Sequence, residues 1–133
     1  MKTALNLISI LALIVISVVG FSACNTIEDN DAPTIIMMSP LAENNPYMSG
    51  MPIRLQLEAR DDLELHEIAI SVVREHDSKE VYLKHGHSHG SVYSLLVDTM
   101  FDTSVHSDFT FKAIVSDHEG EETVATETFH IHP

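Results

Sequence analysis

The chain has 133 residues, of which 7 are Lys or Arg and 20 are Asp or Glu, so its formal net charge is −13 at pH 7. A surface with this excess of carboxylates repels nucleic acid and anionic lipid, and it attracts cations. With one cysteine, no tryptophan and few aromatic residues, the chain forms no internal disulfide and offers little aromatic surface for stacking sugars.

The first segment of the chain has the pattern of a bacterial export signal. Lys2 supplies a positive start, residues 5–19 are almost entirely apolar, and Ser22 and Ala23 are small residues directly before Cys24. This pattern resembles the lipobox of bacterial lipoproteins, with Phe21 where leucine is usual. The resemblance implies cleavage of residues 1–23, acylation of Cys24 by palmitate-type chains, and anchoring to a membrane surface.

Two other interpretations of residues 1–23 are weaker. A membrane-spanning helix needs about 20 apolar residues with flanking anchors, whereas this run is slightly short and ends in small residues, as a cleavage site does. An ordinary secretory signal would leave Cys24 as an unpaired thiol in an exported protein, which is unusual. We therefore expect a lipid-anchored protein of the cell envelope, in the outer membrane and facing the periplasm or the cell surface.

The chain after the signal divides into a short tether and one domain. Residues 24–32 hold the lipidated cysteine and a polar, acidic stretch that predicts a flexible tether. This stretch also resembles the surface-export signal of Bacteroidetes lipoproteins. Residues 33–133 have the length of a single domain, which a hydrophobic core must stabilise because no disulfide is possible.

From Pro33 onward the sequence predicts β-strands. Apolar and polar residues alternate with a period of two, or form short apolar runs, in seven stretches: 34–38, 53–60, 66–73, 80–84, 92–97, 109–116 and 123–132. Turn residues separate them about every 8–12 residues, and no helical period occurs outside the signal. This pattern predicts an all-β fold, a single immunoglobulin-like β-sandwich without the Cys…Trp…Cys pattern of antibody domains.

Four short motifs carry a family resemblance: Asp-Ala-Pro-Thr-Ile at 31–35, Ser39-Pro40, Asp61-Asp62, and Ser-Asp-His-Glu-Gly at 116–120. They resemble the bacterial immunoglobulin-like and cadherin-like superfamily. Together with the lipobox and the histidine-rich segment, nearly all of residues 24–133 resembles an uncharacterised family of Bacteroidetes Ig-like lipoproteins. The resemblance implies fold and location, and no established activity.

The strongest chemical signal is the alternation of His85, His87 and His89 with small residues. Residues two apart in an extended chain share a face and lie about 6.5–7 Å apart, so two imidazoles can converge on one ion. Gly86 and Gly90 permit the chain to curl and bring in the third. Neutral imidazole suits zinc, copper or nickel, so we expect a metal site here rather than a solvated loop.

A second histidine pair lies at the end of the chain. If Phe129 and Ile131 face the core, His130 and His132 face outward together on the last strand, although exposed polar pairs are also common there. Four further histidines are scattered through the sequence, and any of them could complete a site: His66, His76, His106 and His118. By alternation His66 shares a face with Ile68, so it is expected to be partly buried.

Calcium is the less favoured ion. Residues 28–33 resemble the cadherin inter-domain linker, and four acidic residues could lie near one end of the sandwich: Asp61, Asp62, Asp117 and Glu119. Cadherin-type sites take ligands from two adjacent domains, however, and this chain predicts one. Turn formation explains the same aspartates.

No catalytic motif is present: the sequence has no HExxH helix, no GxSxG elbow and no phosphate-binding glycine loop. We therefore expect a protein that is not an enzyme. The sequence favours an envelope lipoprotein that binds a transition metal for scavenging or for delivery, with an outer-membrane uptake receptor as a possible partner. The alternative is a non-catalytic structural or accessory lipoprotein that binds a protein partner, with incidental histidines.

Overall fold

The computed structural model describes residues 31–41 and 46–133, which form two β-sheets around one hydrophobic core. Eight strands follow one another along the chain: β1 (Thr34–Ser39), β2 (Tyr47–Met48), β3 (Pro52–Arg60), β4 (Leu65–Arg74), β5 (Lys79–His87), β6 (Val92–Met100), β7 (Ser107–Asp117) and β8 (Glu122–His132). Within these two ranges no helix is long and apolar enough to cross a membrane. Cys24 and most of the tether lie outside the described residues.

The two sheets have three and five strands. The smaller sheet has the order β1-β3-β6, and the larger has the order β2-β8-β7-β4-β5, with antiparallel pairs except for the parallel pair of β2 and β8. The chain crosses between the sheets after β1, β2, β3, β5 and β6, and the crossings after β3, β5 and β6 are those of immunoglobulin-type sandwiches. The predicted immunoglobulin-like β-sandwich is confirmed.

Alternating side chains build the core from both sheets. In β3 the residues Ile53, Leu55, Leu57 and Ala59 are at most 1% exposed, while their neighbours in sequence face outward. The larger sheet contributes buried residues of β4, β7 and β8 to the same core cluster. Burial of one face of each sheet therefore fixes which side chains remain outside.

Three phenylalanines form the core beside the start of β7 and the end of β8. The ring centroids of Phe101, Phe109 and Phe129 lie 5.5 to 6.1 Å apart, within the range that stabilises aromatic pairs. Because Phe129 and Ile131 are at most 1% exposed, the alternate residues His130 and His132 point away from the core. The aromatic cluster thus supports this end of β8.

Two elements differ from the sequence expectation. The stretch with Asn44, Pro46 and Gly50 predicted only a loop, but β2 lies in it and pairs with Ile131 and His132 of β8. A strand of two residues is too short to show the alternation of apolar and polar residues, so the sequence pattern does not predict it. The strand predicted to end at residue 84 continues to His87, because it pairs with β4 as far as Glu67.

Candidate metal sites

The fold collects seven of the nine histidines at two places. His66, His87, His89 and His118 lie where β4 begins, β5 ends and β7 ends, whereas His106, His130 and His132 lie where β7 begins and β8 ends. Strand β7 runs from one place to the other and has 11 residues. At the rise of a β-strand, the two places are about 30 Å apart.

The place where β7 begins and β8 ends, which we call the trihistidine site, consists of His106, His130 and His132. Their ligand nitrogens all lie within 4.8 Å of one another. The pairing of Ser107 with Ile131 sets His106 at the position opposite His132. His130 and His132 are half-buried and His106 is exposed, so the site is open to an ion from solvent.

One nitrogen–nitrogen distance in the trihistidine site matches tetrahedral coordination. His106 Nδ1 and His130 Nε2 are hydrogen-bonded at 3.3 Å. With Zn–N bonds near 2.0–2.1 Å, two nitrogens of a tetrahedral site are about 3.3–3.4 Å apart. The planes of the His106 and His130 rings are 24° apart, and the His132 ring is inclined at 78° to both, with centroids 4.8 and 4.9 Å away.

A carboxylate orients the central histidine of this site. Asp108 is directly opposite His130 in the β7–β8 pair, and its Oδ1 accepts a hydrogen bond of 2.7 Å from His130 Nδ1. That bond places the proton on Nδ1 and leaves the lone pair of Nε2 directed toward His106. Carboxylate–histidine–metal arrangements of this kind are common in metalloproteins.

The other place, where β4 begins and where β5 and β7 end, contains two groups of possible ligands. We call it the β4 cluster. Group one consists of His66, Glu67 and His87, and group two consists of Glu64, His89 and His118; in each group the ligand atoms lie within 4.8 Å of one another. The groups share no residue.

A β-bulge in β4 positions group one. Leu65 pairs with Asp117 and Ile68 with Val115, so two residues, His66 and Glu67, oppose a single residue of β7. A bulge of this kind redirects side chains locally. Glu67 also lies directly opposite His87, and His87 Nδ1 is 4.0 Å from Glu67 Oε1.

The chain beyond β5 and the turn after β7 position group two. The amide of Leu65 donates to the carbonyl of Gly90, which keeps His89 beside Glu64. Glu64 lies between the two histidines, with Oε1 4.0 Å from His89 Nδ1 and Oε2 3.6 Å from His118 Nε2.

Asp117 holds the turn that carries His118. It is 2% exposed, and its Oδ1 accepts hydrogen bonds from the amides of Gly120 (2.7 Å) and Glu121 (2.8 Å). Gly120 has φ of 91°, a conformation that favours glycine. The turn residue predicted from the sequence therefore also fixes the position of a possible ligand.

The structure does not bring His85, His87 and His89 together in one group of ligands. His87 belongs to group one and His89 to group two, and His85 joins no group of three ligands among the described residues. His85 lies exposed on β5 opposite Ala69, which offers no ligand atom. The additional ligands come from neighbouring elements instead of from a curled loop.

The other predicted positions are placed as follows. His130 and His132 face outward together, as expected, and His106 joins them. His76 Nδ1 is hydrogen-bonded to Ser107 Oγ at 2.9 Å, outside both places. Sequence reasoning missed Asp108, Glu64 and Glu67, whose only signal was their nearness in sequence to histidines.

The aspartates considered for calcium act as turn residues. Asp61 Oδ1 accepts hydrogen bonds from the amides of Leu63 (2.9 Å) and Glu64 (2.8 Å), as Asp117 does in its own turn. With Asp31 and Asp62, Asp61 lines a cavity of about 300 Å³ that also includes Arg60. The guanidinium opposes cation binding there, and Glu28 and Asp29 of the linker motif lie outside the described residues.

Comparison with known proteins gives no match to any family model, and no curated protein matches the chain.

Proposed function

We propose that this protein is a lipid-anchored cell-envelope protein that binds a transition metal ion, zinc, copper or nickel, for scavenging or delivery. The observation that carries the proposal is the trihistidine site, in which His106 Nδ1 and His130 Nε2 are 3.3 Å apart and Asp108 orients His130. Both features are those of a metal-binding histidine.

The ligand types determine the class of ion. Imidazole nitrogen suits zinc, copper and nickel, whereas calcium and magnesium prefer a shell of oxygen atoms. Three protein ligands leave one position of a tetrahedral ion open. An open position at an exposed edge of the sheet lets another ligand approach the ion, which suits transfer of the metal to a partner.

Charge and location support the same role. The net charge of −13 raises the local concentration of cations. Anchoring through Cys24, as the lipobox-like sequence implies, would hold the sites at a membrane surface. An outer-membrane uptake receptor is the proposed recipient of the metal.

Calorimetry with ZnCl₂, CuCl₂ or NiCl₂ on the full chain, purified without a histidine tag in a non-ionic detergent, tests metal binding. We expect affinity in the micromolar range or tighter, and a His130→Ala/His132→Ala variant should bind one ion fewer than the wild type. The control is His85→Ala, which removes an exposed histidine outside the groups. Equal stoichiometry and affinity in the wild type and the double variant would contradict the proposed site.

Anchoring has its own experiment. The wild-type chain expressed in a Gram-negative host with labelled palmitate should incorporate the label and partition into the membrane fraction. Cys24→Ser should abolish the incorporation, because the serine hydroxyl is not the thiol that is acylated. Equal labelling of the variant would show that the lipid, if any, is attached elsewhere.

A second candidate function, that of an accessory lipoprotein that binds a protein partner, is supported by the outer face of β6. Val92, Leu96 and Met100 lie on that face and are 49%, 62% and 64% exposed. Exposed apolar residues on an edge strand are a common feature of binding surfaces. If a partner is bound there, Leu96→Asp should abolish its cross-linking and leave metal binding unchanged.

A further inference from the structure

We propose that the β4 cluster binds a pair of transition metal ions, one in group one and one in group two. The inference rests on the proposed function only for the class of ion, since it uses none of the ligands of the trihistidine site. Each group has two histidines and one glutamate, and two histidines with one glutamate form a complete three-ligand set for zinc.

Two rings in contact connect the two groups. His66 and His118 stack with an interplanar angle of 24° and centroids 4.3 Å apart. Their ligand atoms nevertheless belong to different groups of three, which share no residue. His66 and His118 are therefore assigned to two ions.

The remaining histidines lie on either side of this stack. His87 approaches His66, with centroids 5.4 Å apart at 44°, and His89 stacks on His118, with centroids 5.8 Å apart at 23°. Each member of the stack thus has its own histidine neighbour. The four rings form a row in which the two inner rings are in contact and each pair is complete with its own glutamate.

The two carboxylates make two neighbouring ions possible. Two divalent cations in contact with adjacent rings repel each other, and the repulsion must be offset by negative ligands. Glu67 in group one and Glu64 in group two supply one negative charge for each ion. Glu64 Oε1 and Oε2 face His89 and His118 respectively, so this carboxylate already lies between the nitrogens of its group.

The arrangement depends on three separate elements of the fold. The bulge in β4 supplies His66 and Glu67, the end of β5 and the chain after it supply His87 and His89, and the β7–β8 turn supplies His118. The ligand atoms of each group lie within 4.8 Å of one another, and bringing them to the separation of a tetrahedral site needs shifts of up to about 1.5 Å. Most of the ligand side chains are exposed and free to make them.

Copper(II) alone is the probe for the test, in the full chain purified without a tag in non-ionic detergent. The chain carrying His106→Ala/His130→Ala/His132→Ala lacks the trihistidine site, and we expect equilibrium dialysis to find two copper ions per chain. Electron paramagnetic resonance should show the half-field transition of two dipolar-coupled copper ions. His66→Ala added to this chain should leave one ion and abolish the half-field transition, whereas His85→Ala should change neither result.

Glu67→Gln is a second variant, which preserves the shape of the side chain and removes its charge. Added to the triple variant, it should also reduce the number of bound copper ions by one. In the unmodified chain the expected results are three ions and the same half-field transition, which do not depend on the folding of the triple variant. The trihistidine site, about 30 Å away, is too distant to produce that transition.

Two results would overturn the paired arrangement: a single ion in the triple variant, or two ions without the half-field transition. If the unmodified chain binds one ion and the triple variant none, the proposed function holds and the pair is wrong. If the unmodified chain binds two ions and the triple variant also binds two, the trihistidine site is wrong and the pair stands. Absence of binding in both chains contradicts both proposals.

Discussion

Asp108 and His130 face each other across β7 and β8, and the hydrogen bond of 2.7 Å between them fixes the ring so that Nε2 faces His106 Nδ1, 3.3 Å away. Asp108→Asn retains the size of the side chain and removes its charge. We expect a loss of about 10- to 100-fold in zinc affinity at the trihistidine site, the usual effect of removing such a partner. Competition with a chromophoric chelator measures it.

The matched control for this change is Asp98→Asn. It also removes one exposed surface carboxylate, but Asp98 is paired with Arg54 instead of with a histidine. A general effect of net charge would weaken zinc binding equally in both variants. An equal loss in the two variants would therefore exclude the orienting role of Asp108.

Arg74 and Asp77 form a second informative residue pair, outside the histidine sites. Arg74 donates hydrogen bonds of 3.0 and 2.7 Å to the two oxygens of Asp77, and this lowers the pKa of Asp77 from its ordinary value to about 2. Since the folded pKa lies below the unfolded value of about 3.9, the stabilisation is present above about pH 4. It is lost as the pH falls through about 2.

Asp77→Asn should accordingly lower the free energy of unfolding at pH 7, and the difference from the wild type should shrink as the pH falls from 4 toward 2. Urea unfolding at pH 7, 4 and 2.5 measures the difference. Glu122→Gln, at an exposed position at the start of β8, is the control. A difference that does not change with pH would show that the effect of Asp77 is not electrostatic.

At the scale of strands, alternation predicted the faces of β3, β7 and β8 from the sequence. It placed Phe129 and Ile131 in the core and His130 and His132 outside, as the structure shows. Partners across strands were not predictable, because the register depends on the geometry of the connecting turn. His106 is 24 residues from His130, and only the observed β7–β8 register brings them together.

The β4 bulge shows why the first predicted site was incomplete. Alternation gave His66 the same face as Ile68, and it is half-buried as expected. The extra residue moves Leu65 to a fully buried position, and His66 contacts His87 and His118 instead of the core. An irregularity of one residue has no signature in the hydrophobic pattern, so the ligands supplied by β4 were not recognised.

The β7–β8 turn connects stability to the proposed metal binding. Asp117→Ala removes the acceptor for the amides of Gly120 and Glu121 and leaves those donors without their partner. We expect a loss of about 1–3 kcal/mol in the free energy of unfolding, measured in urea. Because His118 adjoins Asp117, copper binding in group two should weaken as well. Glu119→Ala, an exposed change in the same turn, should have neither effect, and similar behaviour of the two variants would contradict this role for Asp117.

At the scale of the whole molecule, both candidate metal places join elements that are distant in sequence. The trihistidine site links the start of β7 to the end of β8, and the β4 cluster links β4, the end of β5 and the β7–β8 turn. In an unfolded chain these ligands are dispersed. Metal binding should therefore favour the folded state, and removal of the metal should reverse the effect.

Zinc should raise the midpoint of thermal unfolding of the full chain, and EDTA should restore the original value. A site with free ligand at 100 times its Kd stabilises the fold by about 2.7 kcal/mol, which corresponds to roughly 10 °C for a domain of this size. Imidazole takes up a proton below about pH 6.5 and then cannot bind a metal. The increase in the unfolding midpoint on adding zinc should therefore be much smaller at pH 5.5 than at pH 7.5. Differential scanning calorimetry at the two pH values measures it. An increase of the same size at both pH values would show that carboxylates, and not histidines, hold the metal.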